Sequence, residues 1–76
     1  MDDWHADTTW DAGELGCGEL VVELRRRIRL LLPRQSIHLI SSDPGAIEDI
    51  PAWCRLTGHT LKVADPPDFL IERKDL

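Results

Sequence analysis

The fold is decided by the stretch Trp10-Asp11-Ala12-Gly13-Glu14-Leu15-Gly16-Cys17-Gly18-Glu19-Leu20, where a strand pattern gives way to a helix pattern. Before it, residues 6–12 alternate between one set, Ala6, Thr8, Trp10 and Ala12, and a more polar set, Asp7, Thr9 and Asp11. This alternation predicts a first strand. After it, apolar residues return every three to four positions, which predicts a first helix over residues 19–32. Pro33 is expected to stop that helix. Cys17 is therefore expected in the turn between a strand and a helix.

The position of Cys17 predicts a reactive sulfur. The first N–H groups of a helix have no intrahelical partner, and the positive end of the helix dipole favours a thiolate over a thiol. Gly16 and Gly18 loosen the chain around the sulfur. Asp11 is expected to accept hydrogen bonds from N–H groups in the turn, and Glu19 to complement the dipole. The structural alternative is that Cys17 only fills a tight turn, because free cysteine behaves as a small hydrophobe.

The remaining chain predicts three more strands and one more helix. Residues 36–41 form a short apolar run typical of a buried strand. Asp43 is expected to cap a helix that has Pro44 as its first residue and ends at Gly58. Pro51 predicts either a kink or a restart capped by Asp49. Residues 60–64 and 69–74 are predicted to pair as a hairpin around a proline-rich turn.

This βαβαββ order predicts an α+β two-layer sandwich. Two right-handed crossovers place both helices on one face of a four-stranded mixed sheet. The chain is expected to be one domain over residues 1–76, with residues 1–5 as a frayed tail. The predicted core consists of Leu24, Ile28, Leu31, Ile37, Leu39, Ile47, Ile50, Leu61, Val63 and Ile71.

Composition limits the possible functions. A net charge of −5 argues against a general nucleic-acid binder. No apolar run approaches the length of a membrane span, and the acidic N-terminus does not resemble a signal peptide, so we expect a cytoplasmic protein. The two cysteines are then expected to be free thiols, with Cys54 buried on an apolar helix face. The cysteines and histidines lack metal-ligand spacing, so no metal site is expected.

Five of the nine basic residues form a cluster in sequence. They are Arg25, Arg26, Arg27, Arg29 and Arg34. The simplest interpretation is a solvated helix face. The functional alternative is that Arg25, Arg26 and Arg29 dock an acidic partner protein.

Two groups of motifs resemble one known family. The first consists of Asp11-Ala12, Leu15 and Cys17. The second consists of Ser42-Asp43-Pro44, Asp49-Ile50-Pro51-Ala52-Trp53-Cys54 and Gly58-His59-Thr60-Leu61. Together with the βαβαββ order, they resemble the TusA/SirA-like sulfur-carrier family. The resemblance implies a persulfide on Cys17, supplied by a protein such as a cysteine desulfurase or a rhodanese and passed to an acceptor protein. We further expect a monomer, with the sulfur bound covalently and no metal or organic cofactor.

One departure from the family pattern leaves a second function open. The family's Cys-Pro-x-Pro signature reads Cys17-Gly18-Glu19-Leu20 here. Without both prolines, the domain could be a non-catalytic protein-binding or regulatory module in which Cys17 has no role. A third reading, RNA binding, is disfavoured by the negative charge and by only four aromatic residues.

Overall fold

The computed structural model describes residues 5–75, with the side chain of Cys17 outside the described part. The elements are β1 (Thr8–Gly13), α1 (Cys17–Ile28), β2 (Ser36–Ser41), α2 (Ala46–Thr57), β3 (Thr60–Asp65) and β4 (Asp68–Glu72). This order confirms the predicted βαβαββ succession. The strand bounds agree with the predicted bounds to within two residues, and β2 agrees at both ends. Neither described helix is long and apolar enough to cross a membrane.

The four strands form one mixed sheet in the order β1-β2-β4-β3. β1 runs parallel to β2, and β4 is antiparallel to both β2 and β3. Ile37 and Leu39 of β2 and Phe69 and Ile71 of β4 lie in one buried cluster with residues of both helices. Both helices therefore pack on the same face of the sheet, which confirms the predicted two-layer sandwich.

Each helix contributes a stripe of side chains spaced four residues apart. In α1 the fully buried side chains are Leu20, Leu24 and Ile28, and in α2 the buried ones are Ala46, Ile50 and Cys54. This spacing keeps a side chain on one face at each turn. Seven of the ten predicted core residues are buried: Leu24, Ile28, Leu31, Ile37, Leu39, Ile50 and Ile71.

Three predicted core positions differ from the structure. Ile47 is 55% exposed, because Ala46 occupies the buried stripe of α2 and Ile47 lies one position around the helix. The β3–β4 register shifts between Leu61 and Val63, so Leu61 pairs with Ile71 whereas Val63 pairs with Leu70. A shift of one residue moves the following side chains to the opposite face of the sheet. Leu61 is half-buried against the core, and Val63 lies on the face away from the helices.

The bounds of α1 also differ from the prediction. The helix begins at Cys17, so this cysteine is the first helical residue and not part of the preceding turn. It ends at Ile28 and does not continue to Leu32. The N–H of Leu31 donates to Ile28 O (3.1 Å), a three-residue spacing that tightens and ends the helix. Pro33 then disfavours a helical conformation at Leu32, and Arg34 reverses the chain with φ 74°.

α2 begins later than predicted and is not interrupted by its proline. Its cap position is Gly45, whose carbonyl accepts the N–H of Asp49 (2.9 Å), so the prediction of Asp43 as the cap was wrong. Pro51 lies inside one continuous helix, and a restart capped by Asp49 does not occur. The predicted C-cap is confirmed, because Gly58 adopts φ 89° and donates its N–H to Cys54 O.

The predicted tail is described only at its last residue. Residues 1–4 lie outside the described part of the chain. The carbonyl of His5 accepts a hydrogen bond from Ser36 Oγ (3.2 Å). Asp7 exchanges backbone and side-chain bonds with Ser36 as well. The chain is therefore attached to the start of β2 from residue 5 onward.

We predict that Leu24→Ala lowers the free energy of unfolding by about 2–5 kcal/mol, because Leu24 is fully buried and its loss leaves a cavity. A domain of this size has little stability in reserve. The matched control is Leu56→Ala in α2, whose side chain is 85% exposed and which should change stability by less than about 0.5 kcal/mol. Urea unfolding measures both values. Equal effects of the two substitutions would contradict the core assignment.

Candidate functional site

The turn after β1 is held by short-range hydrogen bonds. Gly13 adopts φ 59°, a left-handed conformation that favours glycine. Its N–H donates to Asp11 Oδ1 at 3.0 Å, and the N–H of Leu15 donates to Ala12 O at 3.2 Å. These bonds reverse the chain between the end of β1 and the start of α1. Asp11 therefore contacts the backbone of the turn that precedes Cys17.

The start of α1 leaves backbone donors around Cys17. Gly16 is the cap residue in an extended conformation, and its carbonyl accepts the N–H of Leu20 at 2.7 Å. The N–H groups of Cys17, Gly18 and Glu19 precede this first helical bond, so they belong to the unpaired set at a helix start. The partial positive charge of the helix dipole lies at the same place. Backbone geometry therefore favours negative charge beside residue 17.

Three loops meet at the edge of the sheet where β1 ends and α1 begins. The N–H and Oγ of Ser42 both donate to Gly13 O at 2.9 Å, which ties the loop after β2 to the turn after β1. The N–H of Ser41 donates to Pro67 O at 2.8 Å and adds the β3–β4 turn. Because β1 and β2 are parallel, the helices that follow them both begin at this edge. Cys17 thus lies where loops, and not regular strands, form the surface.

A shallow depression lies next to the start of α1. It has a volume of about 460 Å³ and is lined by Leu15, Gly18, Glu19, Val22 and Glu23. Val22 is 68% exposed although it is apolar. The sequence analysis did not identify this surface. The sequence contains one indication of this surface, because Val22 is apolar but lies outside the stripe of α1 that faces the core.

The arginines of α1 do not form a single group. Arg27 pairs with Glu23 (2.9 Å), and its guanidinium lies 4.5 Å from the ring centroid of Trp10. Arg26 also pairs with Glu23, at 3.3 Å. Arg27 is therefore held against the sheet by a cation–π contact. The half-buried Trp10 packs against the core and this guanidinium.

The other basic residues of the sequence cluster diverge. Arg34 pairs with Glu72 at 2.8 Å, beyond the end of α1. Arg25 and Arg29 are exposed, and within residues 5–75 neither makes an ion pair with an acidic side chain. Of the three arginines predicted to dock a partner, Arg25 and Arg29 therefore carry full charges and Arg26 is partly neutralised. Their docking role stays a prediction.

Cys54 has the surroundings of an inert thiol. Its side chain is 3% exposed in the core, and burial raises its pKa to about 11 from 9.0. The thiolate is the nucleophilic form, so this thiol is both unreactive and inaccessible at neutral pH. The predicted burial of Cys54 is confirmed.

His59 follows the C-cap of α2 and is a hydrogen-bond acceptor. Its Nδ1 accepts the N–H of Lys74 at 3.1 Å, and its ring lies beside Trp53 with centroids 5.4 Å apart. Burial, followed by the positive charges of Lys74 and Arg73, lowers the pKa of His59. The ring is therefore neutral at pH 7. The neutral ring adds no positive charge at the C-terminal end of the α2 dipole.

Among the side chains that the structure describes, no group of three histidine, cysteine or acidic residues lies close enough to hold a metal ion.

A model of the family described as "Sulfurtransferase TusA" matches residues 8–71 of the chain. The match runs from the first residue of β1 into β4 and includes Cys17.

The raised pKa of Cys54 predicts a loss of stability in alkaline solution. Its folded pKa of about 11 exceeds the ordinary value of 9.0, so the folded state holds its proton more tightly. The contribution to stability is complete below pH 9 and is lost as pH rises toward about 11. Two pKa units correspond to a contribution on the order of 3 kcal/mol.

Urea unfolding of wild type and Cys54→Ala at a series of pH values from 8 to 11 checks this. Only the wild-type protein should show the thiol-dependent fall, and the difference between the two proteins should shrink as pH rises. Cys17→Ser serves as the matched control, because it keeps Cys54 and should show the same fall between pH 9 and 11 as wild type. Parallel curves for wild type and Cys54→Ala would contradict a buried, protonated thiol.

Proposed function

Since the chain belongs to the TusA sulfurtransferase family, we propose that it is a sulfur carrier that holds a persulfide on Cys17 and relays it between partner proteins. The observation that carries the proposal is the position of Cys17 as the first residue of α1. The other cysteine is excluded from this role by its burial. The sulfur is bound covalently, so the carrier uses no metal or organic cofactor.

The transfer reaction needs a thiolate and a donor persulfide. The Cys17 thiolate attacks the terminal sulfur of R–S–SH, and a new S–S bond forms as the donor's S–S bond breaks. The products are Cys17–S–SH and the donor thiolate R–S⁻, which takes the electron pair of the broken bond. An acceptor thiolate then attacks the terminal sulfur on Cys17 in the same way. Atoms, charge and oxidation state balance in both steps.

The helix start supplies the electrostatic support for this chemistry. The N–H groups of Gly18 and Glu19 precede the first helical bond, and the positive end of the dipole favours both the thiolate and the persulfide anion. The carboxylates of Glu14 and Glu19 act in the opposite direction. Both side chains are exposed, so solvent screens their effect more than it screens the backbone dipoles. We expect a Cys17 pKa modestly below the ordinary value.

Partner proteins must approach the edge of the sheet where Cys17 lies. The donor would be a protein such as a cysteine desulfurase or a rhodanese, and the acceptor a second protein. The depression beside α1 offers them an apolar contact through Leu15 and Val22, next to the reacting residue. Arg25 and Arg29 would add attraction to an acidic partner. The proposal places the protein in the cytoplasm, where thiols stay reduced.

The altered motif is compatible with this chemistry. In the family signature Cys-Pro-x-Pro, the second proline corresponds to Leu20. Here the N–H of Leu20 closes the first helical turn onto Gly16, and its side chain is fully buried in the core. The first proline corresponds to Gly18, which carries an N–H that a proline lacks. The helix start is thus formed by a backbone hydrogen bond in place of rigid rings.

Persulfide loading tests the proposal. Incubation with a low-molecular-weight persulfide should increase the mass of the intact protein by one sulfur atom. Cys17→Ser should abolish this gain, whereas Cys54→Ala should keep it, because a helix start favours a thiolate and Cys54 is buried in the core. Intact-protein mass spectrometry measures the gain, and iodoacetamide labelling at neutral pH should modify Cys17 many times faster than Cys54.

Two results would contradict the sulfur-carrier proposal. One is a wild-type protein that gains no sulfur under conditions in which a small thiol does. The other is faster alkylation of Cys54 than of Cys17. Either result would favour the alternative function, a protein-binding module of the same fold in which Cys17 takes no part.

The contribution of the Gly18 N–H can be measured separately. Gly18→Pro removes this donor, whereas the matched control Gly18→Ala keeps it, and a side chain at position 18 meets no atom within 4 Å. We expect the Cys17 pKa to be higher in Gly18→Pro than in Gly18→Ala, read from alkylation rates over a pH series. Thermal melting should show both variants folded, because proline is tolerated in a first helical turn. Equal pKa values would show that this N–H does not stabilise the thiolate.

A further inference from the structure

A second cavity lies at the edge of the sheet opposite Cys17. It is enclosed by the ends of α1 and α2 and by the chain that follows β4, and its volume is about 370 Å³. Among the residues that the structure describes, eight line it and none of these is acidic: Arg25, Ile28, Arg29, Leu56, Thr57, His59, Arg73 and Lys74. We refer to this cavity, with its four cations Arg25, Arg29, Arg73 and Lys74, as the basic pocket.

Within residues 5–75, no acidic side chain forms an ion pair with a cation of the basic pocket. The chain has nine lysines and arginines, all within residues 5–75, and four of them form ion pairs: Arg26, Arg27, Arg34 and Lys62. Of the remaining five, only Arg55 lies outside the basic pocket. In a protein of net charge −5, four of the five cations that form no ion pair within the described residues therefore lie around one cavity.

Two of the cations are held in place by backbone carbonyls. Arg73 donates to Leu31 O beyond the end of α1, and Lys74 Nζ donates to Thr57 O at 2.9 Å. A carbonyl orients a cation without cancelling its charge. A guanidinium has further N–H donors, so Arg73 can bind a second acceptor. The basic pocket is thus partly ordered before any ligand arrives, which reduces the entropy lost on binding.

The state of His59 is consistent with an uncancelled positive field. Burial is the largest cause of its lowered pKa, and the positive charges of Lys74 and Arg73 lower the pKa further. Its Nδ1 already accepts the N–H of Lys74, so the neutral ring carries its proton on Nε2. His59 therefore contributes one more donor to the lining of the cavity and no additional acceptor.

The helix ends oppose an anion only weakly. The C-terminal ends of α1 and α2 each carry about half a negative unit charge. Their sum is about one unit, against four full positive charges in the basic pocket. Neutralising the helix dipoles alone would require fewer cations than are present. The net field in the basic pocket is therefore positive, which favours an anion there.

We propose that the basic pocket binds a phosphate group, carried either by free inorganic phosphate or by a small phosphorylated molecule. Guanidinium groups match the geometry of phosphate oxygens and form paired, charge-assisted hydrogen bonds with them. Arg25 and Arg29 supply such groups from successive turns of α1, and Lys74 supplies a point charge. The volume lies at the small end of the range for ligand pockets, which fits a compact anion.

Titration with inorganic phosphate and with adenosine 5′-monophosphate, followed by NMR at low ionic strength, tests this proposal. We expect saturable shifts of the His59 ring and a rise in its pKa when the cavity is occupied, since an anion offsets the charges of Arg25, Arg29, Arg73 and Lys74 around it. Tighter binding of the nucleotide than of phosphate would indicate that the ligand is a phosphorylated molecule. Binding of phosphate without binding of the nucleotide would indicate that the ligand is the free ion. The titration involves no persulfide, so its result is independent of the sulfur-carrier proposal.

A matched pair of double variants separates the basic pocket from general charge attraction. R25Q/R29Q removes two cations that line the cavity and should weaken binding at least tenfold. R26Q/R55Q lowers the net charge by the same amount outside the cavity and should change binding less than twofold. All four side chains are exposed, so circular dichroism should show native folds. Shifts that never saturate, or equal losses in the two variants, would overturn the proposal.

Discussion

Because β1 and β2 are parallel, the chain between them must cross the layer above the sheet, and α1 is that crossing. The same constraint makes α2 the crossing after β2, so both helices begin at one edge of the sheet and end at the other. The hydrogen bonds from Ser42 to Gly13 join the two crossings where they begin. The backbone donors beside Cys17 therefore depend on strand pairing, and not only on the local sequence around it.

The candidate site and the core share residues in a way that a larger domain could avoid. The N–H of Leu20 closes the first turn of α1, and the Leu20 side chain is fully buried in the cluster that joins both layers. Any change that loosens the core near Leu20 therefore also disturbs the backbone donors next to Cys17. In a domain this small, the same residue therefore supports both the core and the site.

The local sequence pattern was sufficient to predict an element whose surroundings are uniform along its length. It was insufficient where residues distant in sequence determine the position of an element or a side chain. The strand Ser36–Ser41 lies at the centre of the sheet, so its apolar run alone predicts both ends. The position of Val63 depends on the register shift against β4, which no local alternation reveals. The turn at Arg34, which follows the end of α1, is bonded to Glu72 across 38 residues of the chain. The basic pocket joins Arg25 to Lys74 for the same reason, and only the fold brings them together.

Acidic side chains lie near the start of α1 and basic side chains near its end, as the helix dipole favours. This arrangement separates the two proposed sites. Glu19 and Glu23 lie near the start beside Cys17, and Arg25 and Arg29 lie toward the end. At 1.5 Å per residue, Arg25 is roughly 12 Å and Arg29 roughly 18 Å along the helix from Cys17. The Debye length at physiological ionic strength is about 8 Å, so an anion in the basic pocket has little effect on the pKa of the Cys17 thiol. It does cancel the positive charge that an acidic partner would meet from a distance, because steering depends on the whole charge distribution. A phosphate in the basic pocket would therefore alter how fast a partner arrives, while the chemistry at Cys17 stays the same once the partner is bound.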